Sequence, residues 1–204
     1  MAEVDWGERD DNESQSRLGV PNQTGLILVS GPSRSGKSRW AEHLASTSSL
    51  AVTYVATASP RPDDPLWQAR LQLHRQRRPA HWDCLEIAEP ERLAGYLEAL
   101  AASQLALVDS LGSWVAAGLD LEAEAWLQLC DQLEAGLIGS EAAVVLVSEQ
   151  TGWGLVPPTA IGGLFRDRLG ALERRLVAIS NGCWLVVAGR ALNLLAQSQA
   201  VPSD

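Results

Sequence analysis

A glycine-rich loop that ends in lysine and serine is the part of this sequence best suited to chemistry. Residues 31–38 read GPSRSGKS and fit the pattern G-x-x-x-x-G-K-[ST] at every position. Gly31 and Gly36 let the backbone wrap around a phosphate, because glycine tolerates positive φ and has no Cβ. Backbone N–H groups and the start of a following helix attract an anion, Lys37 reaches the terminal phosphates, and the Ser38 hydroxyl binds Mg²⁺. The pattern predicts a site for a nucleoside triphosphate.

The patterns on either side of this loop predict that it joins a strand to a helix. Residues 26–29 are a short apolar run, LILV, of the kind found in buried strands. Residues 39–45 continue as a helix-like stretch, RWAEHLA. Because strand, loop and helix follow one another directly, this context favours a phosphate site over a glycine-rich turn that matches by chance.

Composition restricts what this site can serve. The chain has 204 residues, enough for one domain with a sizeable core, and its formal net charge of −9 argues against a broad nucleic-acid-binding surface. Lys37 is the only lysine. The chain therefore cannot contain the N-K-x-D motif of regulatory GTPases, nor a second lysine that carries a covalent nucleotide as in DNA-ligase-like enzymes.

The cysteines and the apolar runs indicate where the protein works. Cys84, Cys130 and Cys183 are odd in number and lack metal-ligand spacing, which is typical of buried thiols in a reducing compartment. No apolar run approaches the length of a membrane span, and the N-terminus lacks the pattern of a signal peptide. We expect a cytoplasmic protein with no membrane span.

Apolar runs and helical periodicities alternate along the chain. Residues 1–24 are polar and acidic and are predicted to be a disordered extension, residues 25–196 a nucleotide-binding domain, and residues 197–204 a polar tail. The predicted strands cover residues 26–29, 51–56, 105–109, 142–148 and 183–188, with a further short one within 82–87. The predicted helices follow the loop and cover residues 65–76, 91–102, 121–137 and 160–180.

This alternation predicts the fold. Continuously apolar strands separated by helices are typical of a parallel sheet covered on both faces. We therefore expect an α/β fold of the P-loop NTPase type, with a mostly parallel central sheet and helices on both faces. The ligand then lies at the carboxyl ends of the strands.

Asp109 ends one of the buried apolar strands, LALVD. A carboxylate at that position, in a protein with a phosphate loop, commonly holds Mg²⁺ or its water. The other interpretation is that Asp109 caps the helix predicted to start at Leu111. Both roles are compatible with the sequence.

A second set of chemical groups lies in residues 69–82, ARLQLHRQRRPAHW. His74 and three arginines crowd the end of a predicted helix, although the chain as a whole is acidic. One interpretation is a solvated helix face. The other is an electropositive pocket for a second phosphate group, with His74 as nucleophile or acid–base group.

With these motifs, the sequence resembles the bifunctional adenosylcobinamide kinase / adenosylcobinamide-phosphate guanylyltransferase family of cobalamin biosynthesis. The matching stretches extend from about residue 26 to 192, and the H-[RK]-x-x-R-P and V-S-x-x-x-G-x-G-[IL]-V-P elements are more specific than the phosphate loop. The chain departs from many members at Ala117, at Glu149-Gln150 and at Glu173-Arg174. The stretches are LILVSGPSRSGKSRWAE, YVATA, ARLQLHRQRRPAHW with Glu86, LVDSLGSWV, VSEQTGWGLVPP, GGLFRDRLGALERRL and WLVVAG.

The resemblance implies two reactions. A phosphoryl group passes from ATP or GTP to a hydroxyl of adenosylcobinamide. GTP then guanylylates His74, and the GMP moves to adenosylcobinamide phosphate to give adenosylcobinamide-GDP. Members of the family are described as trimers, which implies a homo-oligomer here.

The resemblance also implies site residues. His74 and Lys37 are catalytic, Ser38 and Asp109 bind Mg²⁺, and His43 and His81 match no motif and are interpreted as structural. Glu86 accepts hydrogen bonds from either the ribose or the guanine edge of the nucleotide. The nucleotide contacts of the family fall on Gly31, Pro32, Ser33, Arg34, Ser35, Gly36, Lys37, Ser38, Ala56, Thr57, Ala58, Arg75, Gln76, Arg77, Arg78, Glu86 and Asp109.

Three other functions are compatible with a phosphate loop. They are a generic small-molecule kinase in which the arginine segment is a lid, a member with guanylyltransferase activity alone, and a nucleotide-dependent switch protein. The missing second lysine excludes the guanine-reading motif that such a switch would use. Incubation with labelled GTP separates them, because only a guanylyltransferase becomes covalently labelled.

Overall fold

The computed structural model describes residues 24–60, 63–65, 68–69, 72, 78–154 and 156–202. The predicted extension over residues 1–24 lies outside this part except for Thr24. The predicted helix over 65–76 lies mostly outside it. His74, Arg75, Gln76 and Arg77 also lie outside the described residues.

A mostly parallel sheet forms the centre of the fold, as the sequence predicts. Within the described ranges it has seven strands in the order β3-β2-β4-β5-β1-β6-β7. β7 is antiparallel to β6, and the other neighbouring strands are parallel. The strands are β1 Gly25–Gly31, β2 Ala51–Ala56, β3 Asp83–Glu86, β4 Gln104–Asp109, β5 Ala143–Glu149, β6 Gly182–Val187 and β7 Arg190–Asn193.

Helices pack on both faces of the sheet, which confirms the second part of the prediction. α1 follows the phosphate loop directly, and the others follow β3, β4, β5 and β7 along the chain. None of the helices in the described part is both long and apolar enough to cross a bilayer. The helices are α1 Lys37–Ser46, α2 Glu91–Glu98, α3 Leu111–Ala117, α4 Ala123–Gly139, α5 Ala160–Ala178 and α6 Leu194–Gln197.

The two faces of the sheet bury two separate cores, because successive residues of a strand point to opposite sides. We call one the four-helix face, since α2, α3, α4 and α5 all contribute to it, and the other the α1 face, on which α1 is the helix that packs among the described residues. Residues of the four-helix face include Leu28, Val108, Leu146, Leu93, Trp114, Leu133 and Leu172. Residues of the α1 face include Ile27, Val29, Leu107, Val145, Val147, Ala41 and Leu44.

The end of the chain differs from the prediction. The last predicted strand ends at residue 188 with only a polar tail expected soon after it, whereas the structure turns at Ala188 and Gly189 and returns as β7. Both turn residues have positive φ, 50° for Ala188 and 71° for Gly189. β7 is short and not continuously apolar, so its pairing with β6 gives no signal in the sequence.

Candidate active site

The phosphate loop connects β1 to α1, and its two glycines are needed for different reasons. A Cβ on Gly31 would lie 2.2 Å from the carbonyl oxygen of Val186, so β6 passes too close for any side chain. Gly36 has φ of +101° immediately before α1. A residue with a side chain would be strained in that left-handed conformation.

Lys37 is enclosed by this loop and is only 6% exposed. Its Nζ donates a long hydrogen bond of 3.4 Å to the carbonyl of Pro32, and its backbone N–H donates to Ser35 Oγ at 3.3 Å. The turn after β6 supports the loop from outside, because Gly189 N donates to the Ser35 carbonyl at 3.3 Å. An ammonium has three donors. A buried ammonium with one weak partner in the described part is suited to bind phosphate oxygens.

Three of the predicted site residues lie in one row across neighbouring strands. Ala56 of β2 is in register with Glu86 of β3 on one side and with Asp109 of β4 on the other. Residues in register on parallel strands about 4.8 Å apart share a face. Ala56 packs against the α1 face. Glu86 and Asp109 therefore belong to the same face as the helix that starts with Lys37.

The ends of β2 and β4 are joined through Thr57 and Ser110. Thr57 Oγ1 donates to the Ser110 carbonyl at 2.6 Å and accepts from the Ser110 N–H at 2.9 Å. The Thr57 hydroxyl is thus engaged with the protein, so any nucleotide contact through it must compete with these bonds. Ser110 also caps α3, since its Oγ accepts from Ser113 N at 3.4 Å. The interpretation of Asp109 as the helix cap is wrong, because the next residue makes that bond.

Glu149 is the carboxylate that the site prediction missed. It ends β5, which lies between β4 and β1, and its Oε2 accepts from Gly112 N at 2.9 Å. Burial raises the pKa of Glu149 above its usual value; a hydrogen bond from Ser110 lowers it, the charge of Asp109 raises it and that of Lys37 lowers it. Glu149 is therefore electrostatically coupled to both predicted groups. An acidic residue ending a buried apolar strand is the same signal that singled out Asp109.

Arg78 is the member of the predicted arginine segment that the structure describes. Its guanidinium carbon lies 3.2 Å from the centroid of the Tyr54 ring, and Nη1 contacts Cys84 Sγ at 3.9 Å. Tyr54 in turn lies close to Asp109. Burial raises the pKa of Tyr54, and the Asp109 charge raises it further. Arg78 and the predicted metal ligand Asp109 thus have the same tyrosine as neighbour.

A polar network supports the phosphate loop from the four-helix face. Gln150 Nε2 donates to Ser30 Oγ at 2.9 Å and to Glu173 Oε2 at 2.7 Å, and Gln150 N donates to the Gly31 carbonyl at 3.0 Å. Burial raises the pKa of Glu173, while neighbouring polar groups, among them the Gln150 amide that donates to it, lower it. These residues hold the end of β1 and carry α5 against it.

The remaining predicted residues lie around the loop. Ser33 and Arg34 are exposed at its tip, and Arg34 has φ of 60°. Ala58 is half-buried beyond β2. His43 and His81 are both exposed, and the His43 ring lies 5.2 Å from that of Trp40. Neither histidine lies in the row of strand-end residues.

The oxygen donors of the site fit Mg²⁺ in type. Among the described residues, no group of three or more His, Cys, Asp or Glu could hold a metal by itself. Mg²⁺ at nucleotide sites is usually bound by one or two carboxylates together with substrate phosphates and waters. Ser38, Asp109 and Glu149 supply hard oxygen donors of that kind beside Lys37.

A parallel sheet, a glycine loop between β1 and α1, and carboxylates at the ends of neighbouring strands define a P-loop nucleotide-binding α/β protein. Two solved structures share this fold. One is an ATPase from the type III secretion system of pathogenic bacteria, with TM-score 0.51 and 14% identity, covering 84% of this chain and 54% of that one. The other comes from Pyrococcus horikoshii OT3, with TM-score 0.56 and 8% identity, covering 88% of this chain and 90% of that one.

The sequence comparisons identify the family. The model of the cobinamide kinase / cobinamide phosphate guanyltransferase family matches residues 27–194, and the chain belongs to this family. The bifunctional adenosylcobalamin biosynthesis protein CobP of Pseudomonas aeruginosa is 38% identical over 171 residues, which is 79% of this chain and 92% of the relative. The corresponding CobU proteins are 35% identical in Escherichia coli K12 and 33% in Salmonella typhimurium, each over 80% of this chain and 96% of the relative.

Proposed function

We propose that this protein phosphorylates adenosylcobinamide and then transfers GMP from GTP to adenosylcobinamide phosphate through a guanylylated His74. The observation that carries the proposal is the buried ammonium of Lys37 beside the strand-end carboxylates Asp109 and Glu149, in a chain that belongs to this family. The N–H groups of the loop and Lys37 bind the terminal phosphates of ATP or GTP, and Glu86 and the arginines contact the remainder of the nucleotide.

In the kinase reaction, the acceptor hydroxyl attacks the γ-phosphorus and releases its proton, while the bond from that phosphorus to the β-phosphate oxygen breaks and the nucleoside diphosphate leaves. Catalysis of this step is mainly positioning and stabilisation of charge on the phosphoryl oxygens. Lys37 supplies that charge from a fixed position, because the loop and the turn at Gly189 enclose it. Ser38 and Asp109 are the proposed holders of Mg²⁺, which when bound neutralises charge on the phosphates.

In the guanylyl transfer, an imidazole nitrogen of His74 attacks the α-phosphorus of GTP. A P–N bond forms, the bond to the β-phosphate oxygen breaks, and pyrophosphate leaves. A phosphate oxygen of adenosylcobinamide phosphate then attacks the same phosphorus, and the P–N bond breaks to regenerate the imidazole. Arginines next to the histidine stabilise the charge on the transferring group. The position of Arg78 over Tyr54, close to Asp109, supports this role.

The test is covalent labelling with GTP that carries the label on its α-phosphate. We expect the wild type to be labelled, and the label to be lost in mild acid and kept in base, as a phosphoramidate behaves. His74→Ala should abolish the label and the formation of adenosylcobinamide-GDP but leave measurable kinase activity, because no step of that reaction uses the imidazole. His43→Ala and His81→Ala are matched controls that should label normally.

The opposite results would distinguish the alternatives. Label that persists in His74→Ala, or that moves to another histidine, would reject His74 as the nucleophile. If the wild type phosphorylates adenosylcobinamide but takes up no label, only the kinase half of the proposed function would remain. The resemblance to the family predicts a homo-oligomer, a trimer in particular, and this stays a prediction. Light scattering of the purified protein checks it.

A further inference from the structure

Tyr54 has as neighbours one residue proposed for each of the two reactions, and neither mechanism above uses Tyr54 itself. It is buried on the α1 face in the middle of β2, with 4% of its surface exposed. β2 is flanked by β3 on one side and β4 on the other. A tyrosine in this position has neighbours from both the arginine segment and the strand that ends in Asp109.

The first neighbour is the Asp109 carboxylate, which lies close enough to the hydroxyl for its charge to raise the pKa of Tyr54. The register of β2 and β4 explains it, because Ala56 pairs with Asp109 and Tyr54 is two residues earlier on the same face. A hydroxyl beside a carboxylate can donate to one of its several lone pairs and fix its rotation, while the others stay available for a cation. Hydrogen bonds of this kind orient the carboxylates that bind metals.

The second contact is made by the ring. The Arg78 guanidinium stacks on it at 3.2 Å, while its Nε and Nη2 are buried and have no hydrogen-bond partner in the described part of the chain. Stacking holds the guanidinium in one plane. Burying N–H donors without an acceptor is costly. This edge of Arg78 is therefore suited to receive an anionic group from a ligand.

We propose that Tyr54 is a positioning residue for both reactions. Its hydroxyl orients Asp109 toward Mg²⁺, and its ring orients Arg78 toward a phosphate of the bound nucleotide. The inference rests on the proposed function. A tyrosine that only fills the core predicts something different, since phenylalanine would fill the same space without loss.

Two substitutions separate the hydroxyl from the ring. Tyr54→Phe removes only the hydroxyl, whereas Tyr54→Leu removes both. Tyr96→Phe is the matched control, because Tyr96 is the other tyrosine of the chain and packs against the four-helix face. The measurements are the affinity for Mn²⁺ of the enzyme bound to a non-hydrolysable GTP analogue, by electron paramagnetic resonance, and the rate of labelling by α-labelled GTP.

We expect Tyr54→Phe to weaken Mn²⁺ binding by about tenfold. Its labelling rate should return to within about twofold of wild type at saturating Mg²⁺, because the ring that holds Arg78 is intact. Tyr54→Leu should in addition slow labelling by roughly fivefold at every Mg²⁺ concentration. Tyr96→Phe should match the wild type in both measurements.

Coupling to Arg78 provides an independent readout. If the ring acts through the guanidinium, Arg78→Ala should slow labelling no further in a Tyr54→Leu background, but should have its full effect in a Tyr54→Phe background. Melting curves of each variant set a temperature at which all are folded. If Tyr54→Leu does not fold, Tyr54→Met takes its place in both measurements, because it also removes the ring and the hydroxyl but keeps more of the buried volume; Tyr54→Phe decides the role of the hydroxyl in either case.

Two results would overturn the inference. Mn²⁺ affinity in Tyr54→Phe equal to that of the wild type would remove the role of the hydroxyl. Unchanged labelling in Tyr54→Leu, or full additivity with Arg78→Ala, would remove the role of the ring. A wild type that takes no label would instead refute the guanylyl half of the proposed function, and the Mn²⁺ measurement would still decide the role of the hydroxyl.

Discussion

The two faces of the sheet are built for different tasks. The four-helix face buries a large apolar cluster between the strands and α2–α5, with Trp114, Leu93 and Leu133 almost fully enclosed. The α1 face has a smaller cluster, and where its strands end polar groups replace apolar ones: Lys37 at the start of α1, and Asp109 and Arg78 beside Tyr54. The four-helix face provides the larger share of the apolar burial that stabilises the fold, and the α1 face also places ligand-binding groups where its apolar packing ends.

The largest expected effect is on the four-helix face. Trp114 is 1% exposed, and its Nε1 donates to the Pro90 carbonyl at 2.9 Å. Trp114→Ala should lower the free energy of unfolding by about 3–5 kcal/mol, because it leaves a large cavity. Trp153→Ala, at a residue that is 59% exposed, should change it by less than about 0.5 kcal/mol. Denaturant unfolding measures both.

The same variant tests whether the two faces are independent. Below its melting temperature, folded Trp114→Ala protein should phosphorylate adenosylcobinamide at the wild-type rate per folded molecule. A specific loss of turnover in the folded protein would show that the four-helix face also controls the chemistry.

On the α1 face we expect a substitution to reduce turnover without reducing stability. Lys37→Ala should reduce phosphorylation by about 10²–10³-fold, because it removes the charge that stabilises the transferring phosphoryl group. Its melting temperature should not fall, since burying an ammonium does not itself stabilise a fold. Arg39→Ala, two residues further along α1 and exposed, is the control. Near-normal turnover in Lys37→Ala would contradict the assignment of the phosphate site.

A smaller effect is expected at the strand-end carboxylates. Asp109→Asn should reduce Mg²⁺-dependent turnover by about tenfold or more, because a neutral amide is a poorer ligand for the cation. Nucleotide affinity measured without Mg²⁺ should change much less. Equal losses in both measurements would indicate that Asp109 supports the local structure instead of binding metal.

The smallest effect concerns Glu173, beneath the loop on the four-helix face. Burial raises its pKa above the ordinary value of 4.5, so the folded state binds this proton more tightly than the unfolded state. The stability that this proton contributes is present below pH 4.5 and is lost as the pH rises through the folded-state pKa. Glu173→Gln should remove this contribution to the pH dependence and raise the free energy of unfolding at neutral pH, because a buried charge is replaced by a neutral amide.

Stability measured across pH checks this expectation. Glu149 also has a raised pKa, so the Glu173→Gln protein should still show the part of the pH dependence that comes from Glu149. A variant that is less stable than the wild type at neutral pH would show that the ionised carboxylate is favoured by polar neighbours such as Gln150, which donates to it. Its turnover should stay close to that of the wild type in either case.

What the sequence predicts depends on whether a feature is local. The continuous apolar runs of β1, β4 and β5 and the spacing of the phosphate loop are local, and they predict the parallel sheet and the position of Lys37. β7 depends on pairing with β6 after a turn with positive φ, so the sequence carries no pattern for it. The stack of Arg78 on Tyr54 requires the strand order, which the sequence does not specify.

Glu149 shows a different limit on what can be predicted from the sequence. Its position at the end of a buried apolar strand carries the same signal as that of Asp109, yet it stands out in the sequence only as a departure from the family pattern. The order β4-β5-β1 makes the signal meaningful, because it puts Glu149 between Asp109 and the phosphate loop. The assignment of His74 as nucleophile stays a prediction.

Lys37 is the single lysine of the chain, and it is buried inside the loop that it serves. A protease that cuts only after lysine therefore has one place to cleave, and it cannot reach that place while the loop is closed. If opening and closing are fast relative to cleavage, the cleavage rate reports the population of the open loop. The chain carries its own reporter of local unfolding at the phosphate site, and saturating nucleotide should slow the cut without any label having been attached.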